Sequence, residues 1–133
     1  MRRFACSQVS TLLRRLFVQV RRAATAADAD AVHDLRVAVR RLSRALRTFA
    51  QFFPGRSWKR IRTRLSEWME LTGAVRDCDI ALELLEKAGV SERARVAAAL
   101  QSRRSAAEVE LQQELQRCQE RDLARIWRER LEL

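Results

Sequence analysis

Residues that end or bend helices are scarce in this chain of 133 residues, which contains three glycines, one proline and no tyrosine. Long uninterrupted helices are therefore expected, and the abundant alanine, leucine, arginine and glutamate are good helix formers. The low content of β-branched residues argues against a sheet. Apolar residues at 47% and charged residues at 33% are typical of a folded chain. The sequence predicts a single all-α domain over residues 1–133, built of long antiparallel helices in a four-helix-type bundle.

Patterns for metal binding and membrane insertion are lacking as well. One histidine and three widely separated cysteines, Cys6, Cys78 and Cys118, do not form a zinc site, so no metal and no cofactor are predicted. Scattered, odd-numbered cysteines indicate free thiols in a reducing compartment. No apolar run approaches the roughly 18–20 residues of a membrane span. Arginines interrupt the basic N-terminus where a secretory signal needs an apolar core. We therefore expect a cytoplasmic protein without a membrane partner; a mitochondrial presequence is the less favoured alternative.

Positive charge is concentrated in the first half of the chain. Residues 1–64 hold 16 basic and 3 acidic residues, a net charge of +13, whereas residues 65–133 hold 11 and 14, a net charge of −3; together they give +10. Such an asymmetry indicates an acidic partner, either nucleic acid, another polyphosphate or anionic lipid. Nearly all of the basic residues are arginine, whose planar fork suits phosphate oxygens, although GC-rich coding produces the same excess.

Five helical segments are predicted from periodicity and from helix-ending residues. They cover about 7–27, about 30–52 with Asp30 as the N-cap, about 57–72 closed by Gly73, 77–88 capped by Asp77, and 91–133. The last segment meets no glycine or proline and could extend roughly 60 Å as one helix. Its apolar stripe would have no intramolecular partner at the far end unless the chain bends back. The stripe therefore predicts a homodimer through the C-terminal helix.

The second segment carries the clearest functional pattern. On a helical wheel, one arc of about 80° holds the histidine and four of the arginines of "AVHDLRVAVRRLSRALRTF". The apolar residues of the segment occupy the opposite side. The charged stripe is about 21 Å long at 1.5 Å per residue, and acids at the i+4 positions expected of a salt-bridged surface are missing from it. This pattern favours a bound linear polyanion over a solvated face. The candidate ligands in the arc are His33, Arg36, Arg40, Arg44 and Arg47, with Arg41 on its shoulder.

Two motifs in this region carry a resemblance to a known family. "VHDLRVAVRRL" resembles the opening signature of the CHAD domain, the conserved histidine α-helical domain, roughly H-x-x-R-V-x-x-R-R-L-R. "LTGAVRD" at residues 71–77 is similar to that family's L-G-x-x-R-D element and lies in the expected place, one helix later. The likeness is clear over about residues 28–90, and the flanking helices are compatible with it.

The resemblance implies a fold, a ligand and site residues. The fold would be all-α with two related helical bundles, of which this chain resembles the first, because no second basic repeat follows residue 91. The ligand would be inorganic polyphosphate, with location at polyphosphate granules. Residue by residue, His33 corresponds to the signature histidine and Arg36, Arg40 and Arg41 follow it. Arg76 would be a further phosphate ligand, with Asp77 as a helix cap or orienting carboxylate.

The chain departs from the family pattern at two positions. Ser43 stands where the family usually has arginine, and Arg44 comes one position later, which could move or lose one contact. Thr72 replaces the common leucine before the glycine.

Three other functions compete with polyphosphate binding. Non-specific nucleic-acid binding has the same charge requirement but lacks a helix-turn-helix, a zinc finger or an exposed aromatic platform. Catalysis has little support, because His33-Asp34 lacks the further histidines of a metal phosphohydrolase and no phosphate loop or activated nucleophile is visible. A membrane-surface role for the amphipathic first helix is the weakest alternative. We therefore predict a polyphosphate-binding protein that is not an enzyme.

Overall fold

The computed structural model describes residues 1–92 and 94–133, and every regular element within them is helical. The α-helices are α1 (Arg2–Thr25), α2 (Ala29–Thr48), α3 (Gly55–Lys87), α4 (Arg95–Glu120) and α5 (Leu123–Arg130), with a short 3-10 helix, Ala50–Phe52, between α2 and α3. The prediction of an all-α protein is confirmed. No helix of the described residues is long and apolar enough to cross a membrane.

Helices α1 to α4 form a four-helix bundle in which consecutive helices are neighbours and α4 closes the ring against α1. The short helix α5 packs at one end, against α1, α3 and α4. Each helix contributes the apolar stripe that its sequence periodicity predicts, and the stripes meet in one core. Its largest fully buried side chains are Trp68, Leu13, Leu16, Leu35, Leu42, Leu46, Ile61, Leu65, Leu111, Leu115 and Leu131.

Helix α2 begins two residues earlier than the sequence predicts. The Asp28 side chain accepts a hydrogen bond from the Ala31 backbone N–H at 2.8 Å and is the N-cap, so the assignment of that role to Asp30 is wrong. Asp30 lies instead in the first turn, where its negative charge faces the positive end of the helix dipole. Both carboxylates thus favour the same helix start.

Helix α3 is one continuous helix of 33 residues, so the prediction of two helices separated at Gly73 is wrong. Gly73 lies in the middle of α3. Asp77 also lies within α3, where its side chain is exposed, so it is not a helix cap. A glycine costs an interior helix position about 1 kcal/mol relative to alanine. The packing of Leu65, Trp68 and Val75, all fully buried on both sides of the glycine, outweighs that cost.

The single long C-terminal helix predicted for 91–133 is also wrong. The chain breaks after α4 at Asp122, whose φ of 50° is left-handed, and α5 folds back on the bundle. Trp127 of α5 is buried and stacks on Trp68 with ring centroids 5.4 Å apart. Leu123 and Leu131 are buried beside it. The apolar stripe at the end of the chain therefore has an intramolecular partner, which removes the argument for a dimer through this helix.

Candidate anion-binding groove

Two stripes of mostly polar residues face each other where α2 packs against α3. On α2 the stripe repeats at intervals of four and three residues, and on α3 a matching stripe runs in the opposite direction. The two are joined by hydrogen bonds near both ends, from Arg36 to Thr72 at 3.0 Å and from Arg62 to Ser43 at 3.3 Å. The members are Arg36, Arg40, Ser43 and Arg47 on α2, and Arg62, Ser66, Met69, Gly73 and Arg76 on α3.

Between these stripes lies an open groove of about 270 Å³. Two serines, Ser43 and Ser66, also line the groove, and their small side chains leave space between the helices. Val39, Leu65 and Met69 complete its apolar floor. Four guanidinium groups line the groove, and no acidic side chain of the described residues does. The four are Arg40, Arg44, Arg47 and Arg62.

The arginines of the groove have no carboxylate partner. Across residues 1–92 and 94–133, none of the ion pairs involves Arg40, Arg44, Arg47 or Arg62. Guanidinium groups that line the same groove repel one another. Without a carboxylate beside them, their charges are stabilised mainly by hydration. The arrangement is one that an anion with several negative groups would stabilise, because it supplies the missing counter-charge to all four at once.

Arg36 lies at one end of the groove and is tied to α3. Its Nη1 donates to the Met69 carbonyl at 2.8 Å and to the Thr72 hydroxyl at 3.0 Å. Burial, followed by the positive charges of Arg40 and Arg76, lowers the pKa of Arg36, and the carboxylate of Asp77 opposes this only in part. The predicted role of Asp77 as an orienting carboxylate therefore reduces to this electrostatic effect. The charges of Arg40 and Arg76, which add to the effect of burial, make this end of the groove positive.

Gly73 makes room for the Arg36 side chain. A Cβ atom at position 73 would stand 3.1 Å from Nη1 of Arg36, closer than an ordinary contact. Thr72, the departure from the family pattern, is fully buried and its hydroxyl donates to the Trp68 carbonyl at 2.7 Å while accepting from Arg36. Glycine and threonine together form the seat of this guanidinium.

Arg62 lies towards the other end and is the groove residue that the sequence analysis missed. Its Nε donates to Ser43, and its guanidinium lies over the half-buried Trp58 ring, 5.9 Å from the centroid. The i, i+4, i+7 spacing of Arg62, Ser66 and Met69 is a signal for this face. All three residues lie within the segment predicted for about 57–72, but the sequence alone does not show that this face of the helix borders α2.

The structure brings some of the predicted ligands together and separates others. Arg40, Arg44 and Arg47 line the groove, so the displacement of arginine from position 43 to position 44 does not remove it from this site. Arg41, by contrast, lines the surface between α1 and α2. His33 is exposed in α2, one turn before Arg36.

The positive charge of Arg76 contributes to the lowered pKa of Arg36. Arg76 also lines a second cavity between the ends of α3 and α4.

Other arginines hold the bundle together and are not free for a ligand. Arg104 of α4 donates hydrogen bonds to Asp79 of α3 and to the Ala27 carbonyl, both at 2.7 Å. The hydrogen bond from Arg104 to Asp79, with the negative charges of Asp79 and Glu108, outweighs burial and raises the pKa of Arg104. Arg64 of α3 pairs with Glu114 of α4 at 2.7 Å. The acids of the second half of the chain thus neutralise these bridging arginines and leave the groove positive.

The thiols and carboxylates form no metal site in the described residues, where no group of three or more histidine, cysteine, aspartate or glutamate side chains is placed to hold an ion. Cys118 is buried against Glu114 and Arg64, and burial raises the pKa of its thiol to about 11. It therefore stays protonated at neutral pH and is a poor nucleophile.

Comparison with known families assigns the chain. The CHAD domain family matches residues 7–133, which include most of α1 and the whole of every later helix. The chain belongs to the CHAD family. The resemblance noted over residues 28–90 thus extends through both flanking regions of this CHAD domain. Neither a curated protein nor a solved structure is significantly similar to the chain. CHAD domains are known in general for binding polyphosphate, so this ligand is the first to consider for the groove.

Proposed function

We propose that this CHAD domain binds inorganic polyphosphate as a linear polyanion in the groove between α2 and α3. The observation that carries the proposal is the convergence of Arg40, Arg44, Arg47 and Arg62 on one groove without an acid. Arg36 and Arg76 extend the positive track beyond one end, and exposed His33 lies beside it as a further donor. From Arg36 to Arg47 the track is about 16 Å long at 1.5 Å per residue.

The shape of the groove favours a flexible single chain over duplex nucleic acid. Packed helices lie about 8–10 Å apart, so the space between two of them is narrow. A polyphosphate chain carries a negative charge on every unit and can lie along the groove. Duplex DNA is a stiff rod whose persistence length is about 50 nm, and it would touch only the rims. Weak, salt-sensitive binding of nucleic acid through the basic surface is the second candidate.

We further propose that the domain holds polyphosphate without cleaving it. Arginine stays protonated at neutral pH, so it cannot accept the proton of an attacking water. When the protein is incubated with long-chain polyphosphate, orthophosphate should be released no faster than in buffer alone. In cells, such binding would place the otherwise cytoplasmic protein on polyphosphate granules, and a fluorescent fusion should follow the granules.

The test of binding is a competition assay with a charge-matched control. Fluorescently labelled long-chain polyphosphate is displaced by unlabelled polyphosphate, pyrophosphate, single-stranded RNA and duplex DNA at equal phosphate concentration and at two salt concentrations. The groove variant is Arg40→Gln/Arg62→Gln. The control variant, Arg14→Gln/Arg21→Gln, also removes two positive charges, but from exposed positions of α1.

The groove variant should raise the Kd for long-chain polyphosphate by about 30-fold, equivalent to about 2 kcal/mol, and the control by less than about 3-fold. Long-chain polyphosphate should also displace the label better than RNA or DNA. Equal losses in both variants, with all polyanions competing alike, would mean that the chain is only a generic basic surface.

A further inference from the structure

A separate cavity lies where α5 folds back against α3. Its volume is about 270 Å³, and its walls come from the first half of α3, the α4–α5 connection and α5. Arg60 and Arg64 of α3 line it. Each is two residues from Arg62 of the anion-binding groove, which places it about 160° away around the helix axis. The cavity and the groove are therefore on opposite sides of α3.

Arginines from three parts of the chain line this cavity. Arg60 and Arg64 belong to α3, Arg121 follows the last residue of α4, and Arg130 is the last residue of α5. The turn of the chain at Asp122 brings the last two beside α3. Guanidinium groups that come from separate elements can surround one small anion and donate to several of its oxygens. Those of the groove instead follow α2 along a line, with Arg62 opposite them.

The arginines of the cavity differ from a neighbouring arginine in having no carboxylate partner. Among the described residues, Arg60, Arg121 and Arg130 take part in no ion pair. Arg125, which is exposed on α5 and does not line the cavity, pairs with Glu129 at 2.9 Å. Acids are therefore present at this end of the molecule, but they leave the arginines of the cavity unpaired.

The fourth arginine of the cavity keeps an unused donor. Arg64 pairs with Glu114 through Nη2, but its Nε is buried and has no hydrogen-bond partner in the described residues. A buried donor of this kind costs free energy unless a ligand or a water accepts from it. Glu67 is the acid that lines the cavity, and against the three unpaired arginines it leaves an excess of two positive charges.

The size and the walls of the cavity indicate the class of its ligand. At about 270 Å³ it is smaller than the roughly 300–1,000 Å³ of pockets for drug-sized ligands. Trp127 also lines it but is only 2% exposed, so it offers no face on which a nucleobase could stack. We propose that this cavity is a second anion site, which binds one small inorganic phosphate anion such as pyrophosphate. The site shares no arginine with the groove between α2 and α3.

A titration with pyrophosphate, followed in backbone amide NMR spectra, tests the proposal. Pyrophosphate is added from about 0.05 to about 10 mM at constant ionic strength, a range that covers the Kd of a weak site. The amides of residues 121–127 are the reporters, because none of these residues lines the groove. Their signals should shift and saturate with a single Kd.

Two charge-matched variants show whether the arginines of the cavity hold the anion. The cavity variant, Arg60→Gln/Arg130→Gln, should raise the Kd read at residues 121–127 by about tenfold, equivalent to about 1.4 kcal/mol. The control variant, Arg125→Gln/Arg128→Gln, removes two positive charges from exposed positions of α5 outside the cavity and should raise that Kd by less than about threefold. All four positions are exposed, so both variants should keep the amide dispersion of the native fold.

The groove variant Arg40→Gln/Arg62→Gln separates this site from polyphosphate binding. It should leave the Kd for pyrophosphate at residues 121–127 within about threefold of the wild-type value, whether or not the groove binds polyphosphate. The absence of saturable shifts at these residues would overturn the proposal. Equal increases of Kd in the cavity variant and in either the control or the groove variant would also overturn it, because general positive charge would then account for the binding.

Discussion

Replacing Gly73 by alanine tests whether the glycine exists to seat Arg36. In an open helix interior this substitution stabilises a protein by about 1 kcal/mol, because alanine loses less conformational freedom on folding. Here the added Cβ would stand 3.1 Å from Nη1 of Arg36. Relief to an ordinary contact of about 3.5 Å requires the guanidinium to move by about 0.4 Å.

That movement acts on two hydrogen bonds. Arg36 donates to the Met69 carbonyl at 2.8 Å and to the Thr72 hydroxyl at 3.0 Å. Lengthened by the same amount, they reach or pass the usual limit of about 3.2 Å. Hydrogen bonds from charged groups contribute about 1.5–3 kcal/mol each, so weakening both costs about 2 kcal/mol. Against the helix gain of about 1 kcal/mol, Gly73→Ala should lower the free energy of unfolding by about 1 kcal/mol.

Urea unfolding followed by circular dichroism measures this, in a double-mutant cycle with Arg36→Ala. Without the guanidinium, Gly73→Ala should show its full stabilisation of about 1 kcal/mol, giving a coupling of about 2 kcal/mol. The cycle is clean because Thr72 keeps its bond to the Trp68 carbonyl. Gly55→Ala is the control: its Cβ meets nothing within 4 Å, so no coupling to Arg36 is expected.

If Gly73→Ala stabilised the protein equally with and without Arg36, the guanidinium would not occupy the seat described above. The glycine would then be a tolerated helix residue without a packing role.

Three further substitutions test the bundle contacts by urea unfolding. Arg104→Ala should lower the free energy of unfolding by about 2–3 kcal/mol, because it removes the bonds that join α4 to α3 and to the α1–α2 connection, whereas Arg103→Ala at its exposed neighbour should change it by less than about 0.5 kcal/mol. Asp28→Ala should cost about 1 kcal/mol as the loss of the N-cap of α2, and a larger cost for Asp30→Ala would contradict that assignment. Burial of Glu114 is outweighed by its hydrogen bonds from Arg117 and Cys118 and by the charge of Arg64, which together lower its pKa. The stabilisation from the Glu114 carboxylate is therefore present above the unfolded pKa of about 4.3 and is lost as pH falls through the lower folded pKa. Glu114→Gln should accordingly lose less stability than the wild type between about pH 6 and about pH 3. Equal losses in both proteins would show that the carboxylate is not stabilised in this way.

The fold class and most core residues could be predicted from periodicity, because a helix needs only local hydrogen bonds and an apolar stripe. Val32, Leu35, Val39, Leu42 and Leu46 are buried as the helical wheel of α2 requires. The basic stripe opposite them was predicted equally well, since the same 3.6-residue repeat places it. Family membership followed from two local motifs, and it holds over residues 7–133.

Helix ends could not be predicted in the same way. Gly73 and Asp77 resemble the end of one helix and the start of another, but burial of Trp68 and Val75 on both sides keeps α3 continuous. At the C-terminus no glycine or proline signals a break, and yet the chain turns at Asp122. The break lets Trp127 reach Trp68, a gain that no local pattern records.

By itself, the sequence determined the helical class, the polarity of each helix face and the positive half of the chain, because these depend on neighbours three or four residues apart. Only the tertiary structure decided which arginines share a groove. Arg62 joined the site, and Arg41 was turned towards α1, because the packing of α2 between its neighbours sets which side of each helix borders which groove. Charges distant in the chain meet only when the core places their helices side by side, and that depends on the buried residues of all the helices together.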